Sequence, residues 1–211
     1  MKKCKKILTW LSAATLMISS LSKSVNMQSF ISETRLYIEA YMPAVFHHCY
    51  KLTAIAVCSC ELLIALLLLH PKHTVGASWM AFSMLAFFVY LTGVNLFMPT
   101  LFSSIESCGC FGELIHFSPM ASFIKSMMLW GISGWLLILN TKSGESAGIK
   151  MTICDIYLFL SMLISILPST YSLLLKRTDD GLYLAGYIMM CMAIVAFAIF
   201  RIKECERLKN V

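Results

Sequence analysis

Apolar residues run in six stretches, Ile7–Leu21, Ala44–Leu69, Val75–Met98, Met120–Leu139, Ile153–Leu175 and Leu182–Phe200, separated by short polar breaks. A helix needs about 20 apolar residues in a row to cross the hydrocarbon of a bilayer. The first stretch is the shortest, and the other five reach or approach that length. With 59% hydrophobic and only 13% charged residues, the chain carries more apolar surface than a soluble domain of 211 residues needs. The expectation is an all-α, polytopic membrane protein.

Prolines punctuate the pattern. Pro43 and Pro71 bracket the second stretch, and Pro99 and Pro119 bracket the break after the third, as suits a residue that starts or stops helices. Pro168 falls inside the fifth stretch, where Ser165 or Thr170 is placed to satisfy freed backbone groups. Orientation follows from lysine and arginine. With the N-terminus inside, Lys2, Lys3, Lys5, Lys6, Lys72, Lys142, Lys150, Arg201, Lys203, Arg207 and Lys209 are internal, eleven of the seventeen basic residues. The other six, Lys23, Arg35, Lys51, Lys125, Lys176 and Arg177, then lie outside or near outer ends of spans. Both termini are expected in the cytoplasm and the loop after the third span in the periplasm, with the protein in a bacterial inner (cytoplasmic) membrane. Topology accounts for most of the net charge of +6, so the charge implies no nucleic-acid partner. Met1–Ser24 also has the make-up of a signal peptide; a retained first helix is the preferred reading. Met27–Met42 is too polar to span, and it reads as an amphipathic stretch at the outer surface.

The chemistry is concentrated in Cys108-Gly109-Cys110-Phe111-Gly112, inside the polar break between the third and fourth spans. A disulfide requires Cα atoms within roughly 4.4–6.8 Å, which residues two apart reach only if the chain folds tightly. Gly109 and Gly112 permit positive φ angles that such a fold uses. A disulfide strained in this way is readily reduced, which suits a relay better than a staple. The plainer reading is two small cysteines in a loop. Glu113 stands beside the pair, and when ionised it raises a neighbouring thiol pKa.

The other cysteines divide by position. Cys4 and Cys205 fall on the cytoplasmic side, and Cys154 and Cys191 read as small apolar residues. Cys58 and Cys60 repeat the spacing, but at about 100° per residue they face nearly opposite ways on a helix and cannot pair. Cys49, just inside the outer end of the second span, is either a third redox thiol or a packed cysteine. Glu61 lies mid-span, where a carboxylate costs about 2.5–3.5 kcal/mol. It is therefore protonated, paired or turned to a polar cavity. Lys125 is a candidate partner, although the depths look mismatched, and proton transfer in quinone chemistry is the functional alternative. His47, His48, Cys49, Cys108, Cys110 and His116 together suit Cu(I) or Zn²⁺ by donor type, without any familiar metal spacing.

Taken in order, these features resemble the MauE/DoxX-like redox-associated membrane proteins, in particular the MauE branch. The matching pieces are a first span ending in Leu21-Ser22-Lys23, Ser29-Phe30 opening an amphipathic segment that ends at Pro43, and a second span carrying Glu61-Leu62-Leu63. They continue with Cys108-Gly109-Cys110-Phe111-Gly112-Glu113, then Pro119 and Phe123-Ile124-Lys125. The resemblance implies a DoxX-like four-helix bundle over residues 1–140, to which a cytoplasmic linker (141–150) and a C-terminal two-helix hairpin (151–211) are added. It implies a redox pair at Cys108 and Cys110; Cys49, Glu61, Glu113 and Lys125 are candidate accessory groups from the residues themselves. The partner it implies is a periplasmic thioredoxin-like or disulfide-containing protein, or the quinone pool. Two other functions compete: a non-enzymatic assembly factor for an exported protein, and a copper or zinc carrier.

Overall fold

The computed structural model describes residues 2–70, 73–97, 118–142, 151–175 and 181–209. Among them the elements are α1 (Lys2–Val25), α2 (Met27–Tyr41), a 3-10 turn (Ala44–Phe46), α3 (Tyr50–Leu68), α4 (Thr74–Phe97), α5 (Pro119–Lys142), α6 (Met151–Leu175) and α7 (Gly181–Lys209). No strand occurs among the described residues. By length and apolar composition α3, α4 and α5 can each cross a bilayer, and α6 and α7 carry shorter apolar runs, Leu160–Leu173 and Tyr187–Phe200. Trp79, Phe97, Trp135, Met189 and Met192 are among many large apolar side chains left exposed, as lipid-facing residues must be. The protein is a polytopic helical membrane protein.

Local chemistry sets several helix ends. Ser118 caps α5: its hydroxyl accepts from the Ala121 amide at 3.3 Å and its carbonyl from the Ser122 amide at 2.9 Å. Pro119, with no N–H to leave unsatisfied, occupies the first helical position. At the start of α4, the Thr74 hydroxyl donates to the His70 carbonyl at 2.8 Å. α6 continues as one helix through Pro168, with the Thr170 hydroxyl donating to the Ile166 carbonyl at 2.9 Å.

α1, α3, α4 and α5 close into a ring, each packed on two of the others, while α6 lies against α3, α1 and α2, and α7 against α6. Pairings such as Ser20 with the Cys58 carbonyl and Asn140 with Ser78 make ring neighbours antiparallel. The end of α1, the starts of α3 and α5 and the end of α4 therefore share one end of the bundle, where α2 also packs. The start of α1 and the end of α7 lie at the other. Toward that other end the interior holds an apolar cluster of Ala13, Leu16, Ile64, Ala65, Leu68, Ala77, Ala81 and Leu136. Alanines there, with Gly93 and Gly134 between α4 and α5, allow close backbone approach. Such packing and interhelical hydrogen bonds hold helices together in lipid, where hydrophobic drive between them is absent.

Three sequence expectations change. The second span begins at Tyr50 rather than Ala44, because Pro43 leads into a 3-10 turn and a second turn before α3. Cys49 consequently sits at the helix start, exposed, not inside the span. α1 runs past Leu21 to Val25, so Lys23 stands in its last turn, near the end of a span as expected, but buried within the bundle.

Candidate functional site

α1 carries a polar face. Ser12, Ser19, Ser20, Lys23 and Ser24 are all buried, and positions three and four apart share a side of a helix. That face meets Glu61 of α3. The Lys23 ammonium donates to Glu61 Oε1, with both side chains about 1% exposed, and the Ser19 hydroxyl donates to Oε2 at 3.2 Å. Phe30 of α2 and Phe88 of α4 present their rings to the same ammonium, 5.3 and 5.0 Å from Nζ. A desolvated cation gains from ring faces as well as from its carboxylate. Four elements thus converge on one charge.

Glu61 also lines a small cavity on the axis of the ring. Its other walls are Thr15, Leu16 and Ser19 of α1, Leu85 and Phe88 of α4, and Lys125, Ser126 and Leu129 of α5. About 20 Å³ is open to the centre of a water molecule, room for roughly one water. Lys125 is near enough to attract Glu61 electrostatically, after Lys23. One carboxylate between two lysines is the most concentrated charge in the interior among the described residues.

Of the residues singled out from sequence, Glu61 and Lys125 come together at this cavity. The principal partner of Glu61 is nevertheless Lys23, a residue that the sequence reading does not consider as its partner. A signal for it exists: Ser12, Ser19 and Lys23 recur at helical spacing. An apolar window ends the span at Leu21 and discards it. Cys58 is buried and Cys60 exposed on α3, neither in a disulfide, as the helical angle requires. Cys108, Cys110, Glu113 and His116 lie outside the described residues. His47 pairs through a ring nitrogen with the Met42 carbonyl at 3.1 Å. No group of three His, Cys, Asp or Glu side chains able to hold a metal occurs among the described residues.

A ring of four helices with a lysine–glutamate pair sealed in its interior defines a membrane protein that keeps charge at bilayer depth. The pattern of one family, described as Methylamine utilisation protein MauE, matches residues 1–139, and the chain belongs to that family. No curated protein and no solved structure matches the chain.

Proposed function

We propose that this MauE-family protein is a membrane thiol–disulfide redox protein whose working pair is Cys108 and Cys110. The observation that supports this most is the family match itself, because residues 1–139 contain both the Cys-Gly-Cys segment and the charged core. In the reaction proposed, one thiolate of the pair attacks a disulfide of an exported partner protein and forms a mixed disulfide. The second thiol then displaces the partner. Two thiols of the pair become one disulfide, two electrons pass to the partner's disulfide, and its two sulfurs leave as thiols carrying the two protons. The reverse direction oxidises a partner dithiol at the expense of the Cys108–Cys110 disulfide.

Phe97 ends α4 and Pro119 starts α5 at the bundle end where α2 packs. With the positive-inside orientation, that end faces the periplasm. The partner is then a periplasmic thioredoxin-like or disulfide-containing protein, and the membrane is the bacterial inner membrane. The charged core holds the four helices in one arrangement and fixes the two helix ends that bracket the thiols.

In vivo redox state tests the reading. Alkylation with a mass tag after acid quenching should show an oxidised form that depends on Cys108 and Cys110 and survives Cys58→Ala or Cys60→Ala. Loss of the oxidised band on replacing Cys58 or Cys60, with Cys108→Ala silent, would assign the chemistry to α3 instead.

A further inference from the structure

The family match ends at residue 139, yet α6 and α7 make polar contacts directly to the seam between α1 and α3. The Ser172 hydroxyl of α6 donates to the Ser24 carbonyl, and the Tyr187 hydroxyl of α7 donates to the Leu21 carbonyl at 2.6 Å. Both carbonyls belong to the final turns of α1, which stops at Val25 before the chain turns at Asn26 into α2. The Ser24 carbonyl is among the last four of α1, which lack intrahelical partners and in a bilayer need a donor from protein; the Leu21 carbonyl, just before them, takes the Tyr187 hydroxyl as an added donor. Ser59 of α3 and Ser169 of α6 bring their hydroxyls within 3.2 Å. Apolar contacts fill the rest of the seam. Leu173 packs on the cluster of Met27, Ile31, Ala54 and Cys58, while Ile194 and Ala198 pack on Leu62 and Leu66.

We propose that the α1–α3 seam is an interaction surface for a pair of polar-edged membrane helices, and that α6 and α7 are that partner carried in the same chain. The surface is recognised by its exposed carbonyls and serine hydroxyls along an otherwise apolar groove. The partner it fits is a helix pair that presents serine and tyrosine hydroxyls at matching depth. Docking places protein, not lipid, behind Ser24, Cys58 and Ser59, and so shuts the lipid phase out of the side of the bundle that holds Lys23 and Glu61. The C-terminal third is therefore a subunit joined in cis, whose work is to complete the charged core of the family unit.

Two native cysteines report on this. Cys58 is buried behind the seam, and Cys60, two residues on, is exposed. Full-length protein in native membranes is labelled with a lipid-soluble, photoactivated carbene probe, which inserts into side chains exposed to hydrocarbon and needs no thiolate, and each site is quantified by peptide mass. Cys60 should label while Cys58 stays protected. In Ser172→Ala with Tyr187→Phe, Cys58 labelling should rise about tenfold relative to Cys60, the factor supplied by two interhelical hydrogen bonds of average membrane strength. Should that double variant fail to accumulate, Tyr187→Phe alone should raise the ratio about threefold. Cys58 labelling as fast as Cys60 in the native protein, or an unchanged ratio in the variants, would overturn the proposal.

Discussion

Lys23 of α1 and Glu61 of α3 form an ion pair with about 1% of either side chain exposed. A pair this deep is costly to assemble and costlier to break. Removing one partner leaves an uncompensated charge, typically worth 3–5 kcal/mol, whereas replacing both by apolar residues is often neutral. Glu61→Gln and Lys23→Met should therefore each destabilise the protein by about 3–5 kcal/mol. Lys23→Met combined with Glu61→Leu should recover most of that loss. Detergent-solubilised unfolding of the four members of this cycle measures it, and additive losses in the double variant would show that the charges do not interact.

Glycines at the α4–α5 contact and one beside open space should behave oppositely. A Cβ at Gly134 would lie 3.2 Å from Phe82, whose ring is stacked on Trp130 with centroids 5.2 Å apart. At Gly93 it would lie 3.3 Å from Phe123, itself held edge-on by Phe97 at 5.6 Å. Neither ring is at liberty to retreat, so Gly134→Ala and Gly93→Ala should each cost about 1–3 kcal/mol, as overpacking does. Gly131 has open space around its Cβ position, and alanine there should be neutral or stabilising by up to about 1 kcal/mol. Thermal unfolding of the three variants separates these outcomes.

Much of this architecture is legible in the sequence because a bilayer imposes length and apolarity together. α4, α5 and α6 begin and end within a few residues of Val75–Met98, Met120–Leu139 and Ile153–Leu175. The charged core is less legible. Hydropathy reports the average of a window, and Lys23 is one cation beside Ser22 and Ser24, so it reads as a boundary. Its burial depends on Glu61, 38 positions away, and on an antiparallel register that only the assembled helices supply. The start of α3 differs from the expected one for a related reason: Ala44-Val45-Phe46 is apolar enough to extend a span, but Pro43 and the turns after it keep those residues outside the helix.

At the opposite end of the ring the Asn140 side-chain amide donates to the Ser78 hydroxyl at 2.7 Å, and Ser78 donates onward to the Thr74 carbonyl at 2.7 Å. Asn140 Oδ1 is buried with no hydrogen-bond partner. The two deletions should differ in consequence. Ser78→Ala strands the Asn140 amide and should cost about 1–3 kcal/mol, while Asn140→Leu removes an unsatisfied oxygen together with the bond and should cost less. Equal losses in unfolding measurements would mean that the hydrogen bond contributes no more than packing.

The proposed thiol relay is tested most directly by trapping its intermediate. Cells producing Cys108→Ser or Cys110→Ser are quenched in acid and examined by non-reducing electrophoresis. Both variants should lose turnover as completely as the double variant, because attack and resolution are successive steps of one cycle. The variant that keeps the attacking thiol should hold its partner in a reducible species of higher mass, and the other should hold little. Two single variants that both retain most of the activity, with no reducible higher-mass species in either, would contradict the assignment of Cys108 and Cys110 as a redox pair.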